Sequence, residues 1–96
     1  MNRYTLSPLA RDDLIDIWQF TVGRWSIAQA DAYVSDIRDV FSGAAARPNS
    51  GSDCTHLRPG MRKLGSGSHV VFYRVIDGGI DIVRVLHVKM DYARHL

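Results

Sequence analysis

The side chains of this sequence that could do chemistry are four histidines, one cysteine and twelve basic residues. Histidine titrates near neutral pH, so His87, at the end of a long apolar run, could act as a general acid. The other interpretation is a strand-end histidine that is hydrogen-bonded to the backbone or to a nearby aspartate. Cys54 and His56 have the spacing of half a zinc site, but zinc needs two further ligands, so we expect no metal site.

Basic residues are concentrated in the second half of the chain. Residues 49–96 carry five arginines and two lysines against four aspartates, whereas residues 1–48 carry five arginines against six aspartates. This asymmetry indicates an anionic partner, with a solvated surface as the other interpretation. Arg58, Arg62 and Lys63 form the cluster best suited to contact such a partner. Arg74 could instead pair with Asp81 across a hairpin.

The length of 96 residues predicts a single domain that spans residues 1–96. The composition, with 46% hydrophobic and 23% charged residues, is that of an ordinary globular protein. A lone cysteine excludes an internal disulfide, and no apolar run approaches the ~20 residues that a membrane span needs. The N-terminus does not resemble a signal peptide. We therefore expect a cytoplasmic protein without a membrane partner.

Two helices are predicted in the first half of the chain. Ser7 at the N-cap and Pro8 at the first helical position begin the first helix. Ser26 and Gln29 form a capping box that begins the second helix, which ends at Arg47-Pro48. Because only a few residues connect them, the two helices are expected to form an antiparallel hairpin.

Strands are predicted around this helical hairpin. A short extended start at residues 4–6 precedes it, and residues 48–60 are predicted to form a loop after it. Three further strands follow, over residues 61–64, 69–76 and 80–88, and the tail could add a short helical turn. The layout is β-α-α-β-β-β, a two-layer α+β domain in which the N-terminal helical hairpin packs on an antiparallel sheet.

Both faces of the last hairpin are apolar. Strict alternation places on one face Val71, Tyr73, Val75, Ile80, Ile82, Leu86 and Val88. On the other face it places Val70, Phe72, Ile76, Val83 and Val85, together with Arg74, Asp81 and His87. One helical hairpin covers a single face, so we expect the second face to be an open apolar surface for a partner. The alternative is that the 48–60 loop or the C-terminal tail folds over it.

Several segments, taken in order, resemble the ParE toxins of the RelE/ParE superfamily. They are Leu6-Ser7-Pro8-Leu9-Ala10, Asp13-Leu14, Ile17-Trp18, Arg24-Trp25, Gln29-Ala30, Arg58 to Lys63, Gly67 to Val75, Ile82 to His87 and Met90-Asp91. The resemblance implies a RelE/ParE-like fold in which the first strand lies beside the last. It also implies the toxin of a type II toxin–antitoxin pair, neutralised by a ParD-like antitoxin.

The superfamily divides by target, and this chain departs from the nuclease branch. RelE-like members cut messenger RNA in the ribosome, whereas ParE-like members are known for poisoning DNA gyrase and are not nucleases. The nuclease arginine before the central strand falls on Val70, and the terminal tyrosine falls on Leu96. The resemblance therefore implies a non-catalytic gyrase inhibitor without catalytic residues, cofactor or sequence-specific nucleic-acid binding. The alternatives are a ribosome-dependent endoribonuclease and a non-toxic antitoxin-binding module.

Two sets of residues are predicted to contact these partners. The target-binding residues are Arg58, Arg62, Lys63, Arg74, His87, Lys89 and Arg94. The antitoxin-binding residues are Trp18, Trp25, Tyr33, Val70, Phe72, Val83 and Val85. The two tryptophans could equally pack in the core, since a tryptophan at a helix edge serves either purpose.

Overall fold

A computed structural model describes residues 3–96 as two helices packed on a five-stranded sheet. The elements in chain order are β1 (Arg3–Leu6), α1 (Pro8–Arg24), α2 (Ile27–Ala46), β2 (Ser52–Asp53), β3 (Met61–Ser66), β4 (His69–Ile76), β5 (Gly79–His87) and α3 (Tyr92–His95). The strand order is β1-β5-β4-β3-β2. The predicted two-layer α+β fold is confirmed, but the sheet is mixed rather than antiparallel throughout, because β1 pairs with β5 in parallel. The short strand β2 is an addition, since it lies in the segment that we expected to be loop throughout.

Both helices begin where the sequence predicted. The Ser7 hydroxyl accepts a hydrogen bond from the Ala10 amide at 3.0 Å, and the Ser26 hydroxyl accepts one from the Gln29 amide at 3.0 Å. Each hydroxyl thereby satisfies one of the amides that a helix start leaves unpaired. The second helix ends at Ala46 with Arg47 as its C-cap, one residue before Pro48.

The first strand lies beside the last and runs parallel to it, from Arg3 opposite Gly79 to Leu6 opposite Ile82. The other strand pairs are antiparallel. Gly79 is required by this arrangement, because a Cβ at that position would collide with the Arg3 carbonyl oxygen. The preceding turn also depends on glycine, since Gly78 has a φ of 78°.

A β-bulge in β5 changes which side chains share a face. Phe72 lies opposite Arg84 while Tyr73 lies opposite Ile82, which leaves Val83 as the extra residue. A bulge adds one residue to one strand, so every later side chain moves to the other face. Our face assignments for Val85, Leu86 and His87 were therefore wrong. Val85 and His87 lie on the side of the helices, and Leu86 lies on the opposite side.

The main core lies between the helices and one face of the sheet. Its buried members come from α1, α2, β4 and β5; they are Ala10, Leu14, Ile17, Ile37, Phe41, Ala44, Ala45, Val71, Tyr73, Ile80, Ile82 and Val85. The buried Tyr73 hydroxyl also anchors the segment that follows α2. It accepts a hydrogen bond from the Gly51 amide and donates one to the Pro48 carbonyl, each at 2.8 Å.

The second face of the sheet is covered, so the predicted open apolar surface is wrong for this chain alone. A second cluster of buried side chains lies there, formed by Cys54, Met61, Val70, Phe72, Val83 and Leu86. Leu57 from the 51–60 segment and Tyr92 and Leu96 from the tail pack over it. The Phe72 and Tyr92 rings are 5.0 Å apart in an edge-to-face contact. The alternative prediction is therefore confirmed, with both the loop segment and the C-terminal tail packed on this face.

Within residues 3–96, no helix is both long and apolar enough to cross a membrane.

Candidate binding surfaces

A partly buried ion pair ties α1 to β5. Arg84 donates to both carboxylate oxygens of Asp13, with Nε and Nη2 each at 2.8 Å, and the Val85 amide donates to the same carboxylate at 2.9 Å. The two side chains are only 14% and 12% exposed. Arg84 Nη1 also donates to the His95 carbonyl at 3.2 Å. A single guanidinium thus connects the first helix, the last strand and the tail.

The predicted target-binding residues do not form one continuous patch. Arg58 and Arg74 line one cavity on the second face of the sheet. Arg62 is used inside the fold, because its Nη1 donates to the Gly51 carbonyl at 2.7 Å. Lys63 Nζ lies 5.9 Å from the centre of the Tyr92 ring. The remaining tail cations are exposed: Lys89, and Arg94 with a long 3.9 Å contact to Asp91.

Arg74 and Asp81 are opposite each other in the sheet, but the expected ion pair between them is absent from the described part of the chain. The Asp81 carboxylate turns instead towards β1, where it accepts a hydrogen bond from the Thr5 hydroxyl at 2.7 Å. Arg74 therefore keeps its charge unpaired within residues 3–96. The parallel strand β1, which supplies Thr5, is the reason that the prediction of this pair was wrong.

His87 has a histidine neighbour that the sequence analysis did not identify. His69 lies directly opposite it in the sheet, and the two rings are 5.2 Å apart. The Lys89 amide donates to His87 Nδ1 at 3.1 Å. On the other side, the Tyr33 hydroxyl lies 2.6 Å from His69 Nδ1 and accepts a hydrogen bond from the Ser68 amide at 2.9 Å. These groups link α2 to the end of the β4–β5 hairpin.

These histidines line a mostly apolar depression, which we call the histidine groove, between α1 and the end of the sheet. Its defining residues are Phe20, Trp25, Tyr33, His69, His87 and Met90. Phe20 and Trp25 are 67% and 70% exposed, which is unusual for aromatic side chains. The groove joins three of the predicted residues, Trp25, Tyr33 and His87, with three that were missed. Phe20 could have been found, since it lies off the buried stripe of α1.

The other predicted antitoxin-binding residues are less accessible. Val70, Phe72 and Val83 are buried under the 51–60 segment and the tail, and Val85 is buried under the helices. Trp18 is half-buried between the helices and donates from Nε1 to Asp31 Oδ1 at 2.8 Å. Of this predicted set, Trp25 is the residue that the free chain presents fully to a partner, and the set as a whole stays a prediction.

Burial lowers the pKa of His69, and the neighbouring His87 lowers it further, whereas Asp13 acts in the opposite direction. In the unfolded chain a histidine titrates at about 6.5, so below that pH the unfolded state binds more protons than the folded state. The free energy of unfolding is therefore expected to fall as the pH drops from 7.5 through 6.5 towards the lowered pKa of His69.

Urea unfolding of His69→Asn between pH 7.5 and 5.5 measures this effect, because the amide can still meet the Tyr33 hydroxyl but does not titrate. The variant should show a flatter dependence on pH than the unchanged chain. His56→Asn, at an exposed loop position, is the matched control and should keep the original slope. If the free energy of unfolding depended on pH equally in all three proteins, the pH dependence could not be assigned to His69.

Comparisons with known proteins agree with this architecture. A family model described as the ParE toxin of the parDE type II toxin–antitoxin system matches residues 4–92. Toxin ParE1 of Mycobacterium tuberculosis is 48% identical over 96 residues, covering 99% of this chain and 98% of that protein. Toxin ParE1 of Caulobacter vibrioides is 42% identical, covering 100% and 99%. A solved structure entitled "Chromosomal ParDE TA system from P. aeruginosa" has the same fold, with a TM-score of 0.80 at 24% identity over 93% of this chain and 98% of that one.

Proposed function

Because this chain belongs to the ParE toxin family of type II toxin–antitoxin systems, we propose that it inhibits DNA gyrase by binding and that a ParD-like antitoxin neutralises it. It acts in the cytoplasm, where gyrase works on DNA, and it needs no cofactor. The choice of gyrase as the target rests on the family resemblance, since ParE-like members are known for this target. The proposal of an antitoxin partner rests on the same family and on the structural neighbour, which is described as a ParDE system.

The observation that carries the binding mechanism is the separation of His87, the predicted proton carrier, from Arg58 and Arg74. Cleavage of RNA needs a proton carrier and cations around the same phosphate. His87 lies in the histidine groove, whose lining residues in the described chain include no arginine or lysine. Arg58 and Arg74 line a cavity on the opposite face of the sheet. This arrangement supports a toxin that acts through its surface rather than through an active site.

The histidine groove is the surface that we propose for the antitoxin. Phe20 and Trp25 offer two exposed aromatic anchors, and residues of this kind carry most of the binding energy in protein interfaces. An amphipathic segment fits such a groove by placing its apolar side against the two rings.

Growth and enzyme assays test the proposed function directly. The chain expressed alone should arrest growth, and the ParD-like protein whose co-expression restores growth is its antitoxin. The purified toxin should inhibit supercoiling by gyrase and should raise the amount of cleaved DNA–gyrase complex. Codon-phased cuts in messenger RNA, found in arrested cells while gyrase is unaffected, would instead establish the ribonuclease alternative.

Replacing His87 with alanine is expected to leave growth arrest largely intact, within a few-fold of the unchanged toxin. Loss of a general acid or base lowers an enzymatic rate by about 10²–10⁴-fold, whereas loss of one contact weakens a binding toxin only in part. The measurement is colony formation after induction, at matched protein levels. His56→Ala serves as the control for loss of a histidine at an exposed position. Abolished toxicity in a folded His87→Ala protein would point to catalysis.

A further inference from the structure

A cavity at the start of α1 holds three arginines, of which Arg58 and Arg74 belong to the predicted target-binding set. We call it the arginine cavity; it is lined by Ser7, Pro8, Leu9, Arg58, Arg74, Asp81, Val83, Arg84 and His95. It lies on the face of the sheet away from the histidine groove, between the first turn of α1, the 51–60 segment and the tail. The positive end of the α1 dipole points to the same place.

The charges around the arginine cavity do not cancel. Arg84 is neutralised by its two hydrogen bonds to Asp13. Arg58 and Arg74 make no ion pair within residues 3–96, and the only carboxylate of the lining, Asp81, is hydrogen-bonded to Thr5. Arg58, Arg74 and Asp81 together therefore leave one net positive charge. A ligand with a single negative charge would complete the balance.

Arg74 is the lining residue that carries an unsatisfied polar atom. Its Nε is buried and, within residues 3–96, has no hydrogen-bond partner. A buried donor without a partner destabilises the folded state, and more so when the group is charged, so a native structure with one calls for an acceptor. Guanidinium groups bind carboxylates with two parallel hydrogen bonds, which would use this Nε together with one Nη.

We propose that the arginine cavity binds a carboxylate side chain of an acidic protein segment, held by Arg74 and Arg58. Asp81 lines the same cavity and would repel a doubly charged phosphate, whereas one carboxylate matches the single net charge. Leu9 is exposed at the rim and offers an apolar contact beside the charged one. The site goes beyond the proposed function, because it depends neither on gyrase nor on toxicity.

Titration with acetate tests the carboxylate site on the purified full-length chain. The arginine Nε–H signals are followed by ¹⁵N–¹H NMR while acetate replaces chloride at constant ionic strength. The Arg74 signal is expected to move and to saturate at millimolar acetate, whereas the signal of Arg38, exposed on α2, should show no saturable change. A linear shift without saturation would mean that the buried Nε is met by water alone, and the proposal would be wrong.

Two variants and a second anion complete the experiment. Arg58→Gln, read on the Arg74 signal, should weaken acetate binding several-fold, while Arg38→Gln should leave it unchanged. Arg74→Gln, read on the Arg58 signal, should remove saturation. Inorganic phosphate is expected to bind more weakly than acetate. Tighter binding of phosphate would overturn the assignment to a carboxylate and would favour a nucleic-acid backbone as the ligand.

Discussion

Replacing Arg84 with alanine is expected to lower the free energy of unfolding by about 3–5 kcal/mol. Removal of the guanidinium leaves the Asp13 carboxylate partly buried, with the Val85 amide as its remaining hydrogen-bond donor. Such an uncompensated charge costs more than the ion pair itself contributes. The His95 carbonyl also loses its donor, so the tail that covers the second face should loosen as well.

Urea unfolding, followed by circular dichroism, measures this loss. Arg94→Ala is the matched control, since it removes an arginine whose ion pair with Asp91 is long and largely exposed. Exposed pairs contribute about 0–1 kcal/mol, so this variant should unfold close to the unchanged chain. A similar small effect from both substitutions would show that the Asp13–Arg84 pair does not hold α1, β5 and the tail together.

The sequence signals that succeeded were local. Ser7 with Pro8, and Ser26 with Gln29, specify helix starts through hydrogen bonds that span only three residues. The position of β1 beside β5 could not be derived in this way, because its partners are 76 residues apart in the chain. It came from the resemblance to a family, and the structure confirms it.

The bulge at Val83 could not be predicted from the pattern of residues. A shift of one residue is detectable when polar side chains mark one face of a strand. Here Val83, Val85 and Leu86 are all apolar, so these three residues mark neither face of the strand. The missed bulge also affected the site prediction, because it placed His87 on the wrong face and hid its contact with His69.

The cover of the second face was also beyond local reasoning. Leu57, Tyr92 and Leu96 are isolated apolar residues in segments that were predicted as loop and tail. Their burial depends on contacts with β4 and β5, which no periodicity in those segments can reveal. Phe72 is consequently a core residue of the free chain, whereas Trp25 is exposed.

This contrast between Phe72 and Trp25 leads to opposite expectations for the two alanine variants. Trp25→Ala should weaken binding of the ParD-like antitoxin by about 2 kcal/mol or more, roughly 30-fold, with little change in stability. Its backbone amide, which caps α1 through the Thr21 carbonyl, is unaffected by the substitution. Phe72→Ala should instead lower the free energy of unfolding by about 3–5 kcal/mol, because it opens a cavity under Tyr92.

Titration calorimetry with the antitoxin and urea unfolding of each variant separate the two effects. Phe72→Leu keeps most of the buried volume and should recover most of the lost stability, which makes it the matched variant for the core position. A Trp25→Ala protein that is folded and binds the antitoxin with unchanged affinity would remove the histidine groove as the proposed interface. In that case the antitoxin must use another surface, and a Phe72→Ala protein that stays folded but loses the antitoxin would direct the search to the covered face.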